Sequence, residues 1–275
     1  MLALMQTTAL PRSCLFVPAD RPERIAKALH SGADAVIVDL EDAVAPGAKA
    51  LARDLLAAWL RSSAAQPVLV RINGAQTPWF ADDLAACAAA AVSGLVVPKA
   101  EDAATLARAS AALPGRPLLP LVETAAGFDA LRDVAAAPGV QRLVFGSLDF
   151  QVDLGIEDDG DALLFFRSQL VLASRLHGLA APVDGVTTAL DDEGATARDA
   201  MRARRLGFGA KLCIHPRQVA AVNAAFTPSP EELAWARRVV EAVDASAGAA
   251  VAVDGRMVDA PVLRRAQVLL QRARR

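Results

Sequence analysis

The chain has 275 residues, 54% of them hydrophobic and 22% charged, a balance that excludes a disordered polymer and allows a substantial core. Its 29 basic and 31 acidic side chains give a formal net charge of −2, which excludes recruitment of nucleic acid or an anionic membrane by bulk charge. Cys14, Cys87 and Cys213 form no CxxC pair, the N-terminus lacks a basic segment followed by an apolar core, and no window reaches the roughly 18 unbroken apolar residues of a spanning helix. Buried free thiols in a soluble, cytoplasmic protein are therefore expected.

Short β-branched or leucine-rich runs recur every ~20–40 residues, each followed by a helical pattern. They predict strands at Cys14–Val17, Ala35–Val38, Val68–Ile72, Leu95–Val97, Leu118–Val122, Leu143–Phe145, Leu179–Val183 and Lys211–Ile214. Arg21–His30 and Asp161–Leu176 read as amphipathic helices between them. This βα rhythm predicts a (β/α)₈ TIM barrel over residues 1–226. A doubly wound sheet would carry a glycine-rich first turn, and GxGxxG is absent. Gly207 and Gly209 precede the eighth strand, so the glycines of a phosphate-binding barrel are missing too.

Residues 227–275 predict a C-terminal extension. Ser229-Pro-Glu-Glu232 is a capping box that opens a helix through Val243. A linker is expected at Ala245–Ala250, then a hairpin over Val251–Val258 around Asp254-Gly255, then a helix from Ala260 to Arg274.

Polar residues stand at every predicted strand end: Asp20 and Arg21; Asp39, Glu41 and Asp42; Arg71 and Asn73; Lys99; Glu123; Asp149; Asp184; His215. In a barrel these converge on one rim, where the active sites of this fold are built. Glu123 closes Leu118-Leu-Pro-Leu-Val, and Asp149 follows Leu143-Val-Phe-Gly-Ser-Leu. Two carboxylates on neighbouring strands, with no Cys or His nearby, suit one Mg²⁺ and a carbonyl or carboxylate substrate.

These segments resemble the citrate lyase β-subunit-like group of the HpcH/HpaI aldolase superfamily. The resemblance rests on Leu15-Phe-Val-Pro-Ala-Asp-Arg-Pro-Glu-Arg24 and Ala35-Val-Ile-Val-Asp-Leu-Glu-Asp-Ala-Val44 with Pro46, Lys49 and Arg53 following. It continues through Val70-Arg-Ile-Asn73, Val97-Pro-Lys99, Leu121-Val-Glu-Thr124, Phe145-Gly-Ser-Leu-Asp149 and Lys211-Leu-Cys-Ile-His-Pro216. It implies a barrel, Mg²⁺, a homo-oligomer (trimer or hexamer), and cleavage or formation of C–C bonds in 3-hydroxy acyl-CoA thioesters. Malyl-, citramalyl- or citryl-like thioesters would yield a 2-oxo acid and an acyl-CoA.

The resemblance implies Glu123 and Asp149 as metal ligands, with Glu123 also at the substrate, and Arg71 as the substrate arginine. Glu41 and Asp42 stand where pyruvate-specific members carry Glu followed by a His base. The missing His favours the thioester lyase over a class II pyruvate aldolase, and the presence of Arg71, Glu123 and Asp149 ranks it above a further alternative, a carrier-protein-dependent citrate lyase β-type subunit. Asp259 resembles a tail Asp that acts as acid/base in a neighbouring subunit's site.

Simpler roles compete at each position. Arg71 could form an internal salt bridge to Asp39 or Glu41, Asp42 and Asp259 could cap helices, and Lys99 could pair with Glu101 or Asp102. Arg21 and Arg24 could meet phosphates or water, Trp79 and Phe80 pack or form a lid, and His215 bond locally.

Overall fold

A computed structural model of the chain describes residues 10–62, 66–88, 91–246 and 251–273. Among these, eight parallel strands close into a barrel in sequence order: β1 Ser13–Pro18, β2 Ala35–Asp39, β3 Val68–Arg71, β4 Val92–Val97, β5 Leu118–Val122, β6 Arg142–Phe145, β7 Ala180–Asp184 and β8 Ala210–Cys213. The helices between them are α1 Pro22–Leu29, α2 Lys49–Ser62, α3 Phe80–Ala86, α4 Ala103–Ala112, α5 Ala125–Asp129, α6 Leu131–Ala136, α7 Ser147–Leu154, α8 Leu164–Leu176 and α9 Glu193–Leu206. The helix α10 Arg217–Phe226 follows β8. The predicted (β/α)₈ TIM barrel is the observed fold.

Side chains alternate across each strand. Cys14, Ile37, Leu69, Val96, Leu119, Leu121, Val144, Val183, Ala210 and Leu212 fill the barrel interior. Continuing the same parity by two residues from Ile37, Leu69 and Leu121 gives Asp39, Arg71 and Glu123. One periodic rule thus makes the barrel floor apolar and its rim charged. Register completes the arrangement by pairing Asp39 of β2 with Arg71 of β3.

The differences from expectation are local. Strand β4 starts at Val92 rather than Leu95, because Gly94 lies inside the strand. A Cβ there would come within 2.7 Å of Pro117 O, so this glycine marks close strand packing rather than a turn. Asp161–Leu163 forms a 3₁₀ turn that leads into α8. Strand β8 ends at Cys213, leaving Ile214 partly exposed at the rim. All three cysteines are buried and free. No described helix is long and apolar enough to cross a membrane.

Chain from Ala224 onward forms a second compact unit. Its helix α11 Pro230–Ala245 opens on the expected capping box, with Ser229 and Glu232 bonding reciprocally. Strands β9 Val251–Val253 and β10 Arg256–Val258 pair antiparallel across Asp254 (φ 50°) and Gly255 (φ 74°), the two left-handed residues of a tight hairpin turn. Helix α12 Ala260–Arg272 closes a small core of Ala236, Val239, Val253, Ala266 and Leu269. Residues 247–250 of the expected linker, and the Arg274 end of the last helix, lie outside the described residues.

Candidate active site

At the C-terminal rim of the barrel, Arg71 is gripped by Asp39 in a two-point fork, Nε to Oδ1 at 2.7 Å and Nη2 to Oδ2 at 2.6 Å. Asp39 also accepts the backbone N–H groups of Glu41 (2.9 Å) and Ala43 (3.0 Å), so one buried carboxylate shapes the β2–α2 turn and aims the guanidinium. The remaining nitrogen, Nη1, meets Glu41 Oε2 at 3.1 Å and Asp42 Oδ2 at 3.2 Å. The Phe16 ring lies 4.7 Å from the guanidinium carbon. Burial opposes the Arg71 charge, but bonding to Asp39 and attraction from Glu41 and Asp42 outweigh it and raise its pKa. The expected internal salt bridge therefore exists, and Arg71 lines the cavity as well.

Glu123 is almost fully buried, and its Oε1 accepts the Lys99 N–H at 2.8 Å. That donor is presented by a left-handed Lys99 (φ 46°), a conformation uncommon outside glycine and often found where a site constrains the backbone. The Lys99 ammonium lies 3.0 Å from Glu41 Oε1 and 4.0 Å from Glu123 Oε1. Lys99 thus pairs with Glu41, not with Glu101 or Asp102. The opposite flank of Glu123 is Gly146, where a Cβ would fall 2.5 Å from Glu123 Cβ. Only glycine lets β6 approach this carboxylate.

Burial, and then repulsion from Glu41, push the Glu123 carboxyl up to about 8, with Asp149 adding to the rise. An ordinary glutamate titrates at 4.5, so the fold holds an extra proton between these values. Its contribution to stability is full below the lower value and is lost as pH rises through the upper one. The metal-free protein is therefore expected to melt at a lower temperature near pH 8.5 than near pH 6, and Mg²⁺ to raise the melting temperature more at the higher pH. Thermal melts with and without Mg²⁺ measure both.

Asp149 stands in the first turn of α7 and is exposed to the same cavity, which measures about 440 Å³. Phe16, Arg24, Asp39, Asp42, Arg71, Glu123 and Asp149 all line it. No hydrogen bond or ion pair engages the Asp149 carboxylate among the described residues. No group of three or more His, Cys, Asp or Glu is arranged to hold a metal among them either. The site instead offers a pair of hard oxygen donors, one short of positive charge and one unengaged. That suits a divalent ion that keeps most positions for water and substrate, as Mg²⁺ does.

Other expected rim residues lie elsewhere. Asp184 is buried beside Arg167 (2.9 Å) and Lys211 (3.8 Å) because Val183 takes the inward position and turns its neighbour outward. Asn73 bonds Asp83 at 2.6 Å, and His215 Nδ1 accepts the Arg217 N–H at 3.2 Å in a local turn. Arg24 lines the cavity, whereas Arg21 is not among its lining residues. Phe80 is packed in the core. Asp259 caps α12 in the C-terminal unit, accepting from Val262 N at 3.0 Å. Asp39, read in sequence as one of the rim residues and as a partner for Arg71, is the residue that fixes the guanidinium; its parity with Ile37 was the signal.

A family model described as HpcH/HpaI aldolase/citrate lyase matches residues 12–216, the span of the barrel. The chain belongs to the HpcH/HpaI aldolase/citrate lyase family. It is 40% identical over 281 residues to a citrate lyase subunit beta-like protein of Deinococcus radiodurans, covering 95% of this chain and 97% of the relative. It is 37% identical over 255 residues to a (3S)-malyl-CoA thioesterase of Cereibacter sphaeroides, covering 90% and 89%. Among solved structures, CitE of Mycobacterium tuberculosis in complex with magnesium, acetoacetate and coenzyme A superposes with a TM-score of 0.86 at 37% identity, covering 97% of this chain and 99% of that one. This HpcH/HpaI member therefore shares fold and family with lyases, and with a relative that hydrolyses a thioester.

Proposed function

We propose that the chain is a Mg²⁺-dependent carbon–carbon lyase that cleaves, or forms, a 3-hydroxy acyl-CoA thioester of the malyl, citramalyl or citryl type. Glu123 and Asp149 would hold the ion, which supplies Lewis-acid polarisation of substrate oxygens. The observation that carries this reading is the convergence of an undercompensated carboxylate pair and a preorganised guanidinium on one cavity. Arg71, its fork fixed by Asp39, binds the carboxylate of the 2-oxo acid half and faces the oxygen that gains charge as the bond breaks. Glu41 and Asp42 hold Arg71 Nη1 in place. In the cleavage direction the 3-hydroxyl proton passes to a water in the cavity, the C2–C3 bond breaks, and its electron pair passes to the thioester enolate, which then takes up a proton. Asp259, or a water held near Glu41, supplies that proton.

The inner surface of the cavity is apolar, formed by Phe16, Leu121, Val186 and Leu212 above the barrel core. A second carboxylate turned toward it would lose its hydration against an apolar barrel core that offers no replacement. Among the three types this favours malyl and citramalyl over citryl, whose 2-oxo product oxaloacetate carries that second carboxylate, and the Mg²⁺-loaded protein is expected to bind pyruvate or glyoxylate roughly tenfold or more tightly than oxaloacetate, about 1.4 kcal/mol. Calorimetric titration measures the ratio. The reaction itself is tested by following 2-oxo acid release from malyl-, citramalyl- and citryl-CoA with and without Mg²⁺. Release of free coenzyme A without cleavage would instead favour the hydrolytic chemistry of the Cereibacter relative. Release of pyruvate from free 4-hydroxy-2-oxo acids would favour the class II aldolase, and inertness toward every CoA thioester a carrier-dependent subunit.

The proposal extends to a homo-oligomer, trimer or hexamer, in which residues 227–275 reach a neighbouring subunit and deliver Asp259. Asn caps a helix as well as Asp does but holds no titratable proton. Asp259→Asn should leave the melting temperature unchanged and lower kcat by roughly 10²-fold or more. Unchanged kcat would leave Asp259 a cap alone.

A further inference from the structure

Lys49, the first residue of α2, is buried and is not among the residues that line the cavity. Its ammonium donates to the carbonyls of Leu40 at 2.7 Å and Glu41 at 2.6 Å, and lies 5.4 Å from the centre of the Trp79 ring. Removing an ammonium from water is costly, and the two carbonyls, the ring and attraction from Asp39, Glu41, Asp42 and Asp83 repay it only in part, since burial still lowers the Lys49 pKa. A Leu or Met would fill the same space without that penalty. The charge is thus better explained by what it holds than by what it stabilises.

What it holds is the turn after β2. Asp39 fixes this turn from one side through the N–H groups of Glu41 and Ala43, and Lys49 fixes it from the other through the two carbonyls. We propose that Lys49 is a positioning residue of the site, an ammonium tie that sets where the Glu41 carboxylate stands between Lys99 and Arg71.

The consequence reaches the metal ligands through Lys99. With Glu41 in place, the Lys99 ammonium sits 3.0 Å from Glu41 and 4.0 Å from Glu123. Freed from Glu41, that cation turns to the undercompensated Glu123 and competes with Mg²⁺ for it. Glu41 thereby keeps Glu123 available, and Lys49 keeps Glu41 in position. This inference rests on Glu123 being a metal ligand.

The test is titration with MgCl₂ alone, followed by calorimetry, on the wild-type protein, Lys49→Met and Lys49→Arg, with melting curves recorded in the absence of metal. The Met variant keeps the stem and removes the charge. Its dissociation constant for Mg²⁺ should rise roughly tenfold or more while its metal-free melting temperature stays near wild type. Lys49→Arg, which keeps a donor, should recover part of the affinity. A folded Met variant that binds Mg²⁺ within twofold of wild type overturns the proposal, as does failure of both variants to fold, which would make Lys49 a stability residue. If wild type itself binds no Mg²⁺, the metal reading fails. The tie is then judged by a crystal structure of the Met variant, in which an unmoved Glu41 carboxylate overturns it.

Discussion

Glu123→Ala is expected to lower kcat/KM by roughly 10³-fold or more, about 4 kcal/mol of transition-state stabilisation, because the site would lose one of its two metal donors. Asp149→Ala should cost a comparable factor. The double variant should cost little more than either single one, since two ligands of one ion act as a unit. Stability should move the other way. Glu123 is buried, repelled by Glu41 and Asp149, and held up to about 8, so at pH 8 and above its ionised form burdens the metal-free fold. Glu123→Gln, which keeps the shape and removes the charge, should leave the metal-free protein as stable as wild type or more so. Loss of turnover together with a retained or raised melting temperature separates a functional carboxylate from a structural one. Steady-state kinetics and thermal melts on the same preparations measure both.

Arg71→Met is expected to harm both activity and folding. The substitution leaves Asp39, 1% exposed, without its counter-ion, and breaking one side of a buried pair costs about 3–5 kcal/mol. For a domain of this size that lowers the melting temperature by roughly 10 °C. Activity should fall by roughly 10²-fold or more, because the substrate carboxylate and the developing charge lose their shared donor. The double variant Arg71→Met with Asp39→Asn removes both buried charges and should recover much of the stability but none of the turnover. Denaturant unfolding curves and kinetics on the two single variants and the double variant decide this. If stability and activity recover together, Arg71 is only a scaffold residue.

The barrel was legible because its strands obey a period of two at a buried interior. That parity also foretold which rim residues face inward: Asp39, Arg71 and Glu123 each follow an interior residue by two positions. The same rule explains one expected rim residue that lies elsewhere, since Asp184 follows the inward Val183 by one and turns to Arg167 instead. Features set by backbone approach left no such trace. Gly146 reads as an ordinary loop glycine until β6 is seen against the Glu123 side chain, and Lys99 shows no sign in sequence of its left-handed conformation. The strand expected from Leu95 extends back through Gly94 to Val92, because the proximity of Pro117 is a tertiary fact. Local chemistry was clear in the C-terminal unit, where the capping box and the Asp-Gly turn form as read. At Asp259 cap and acid/base look alike in sequence; the cap forms, and it is compatible with a second role that Asp259→Asn separates.

Every proposed role rests on a divalent ion shared by Glu123 and Asp149, which crystals soaked in Mn²⁺, an anomalous scatterer that substitutes for Mg²⁺, would reveal. One strong anomalous peak is expected within about 2.0–2.3 Å of a carboxylate oxygen from each residue, absent in Glu123→Ala. A peak held by other residues, or none between these two at saturating Mn²⁺, would contradict it.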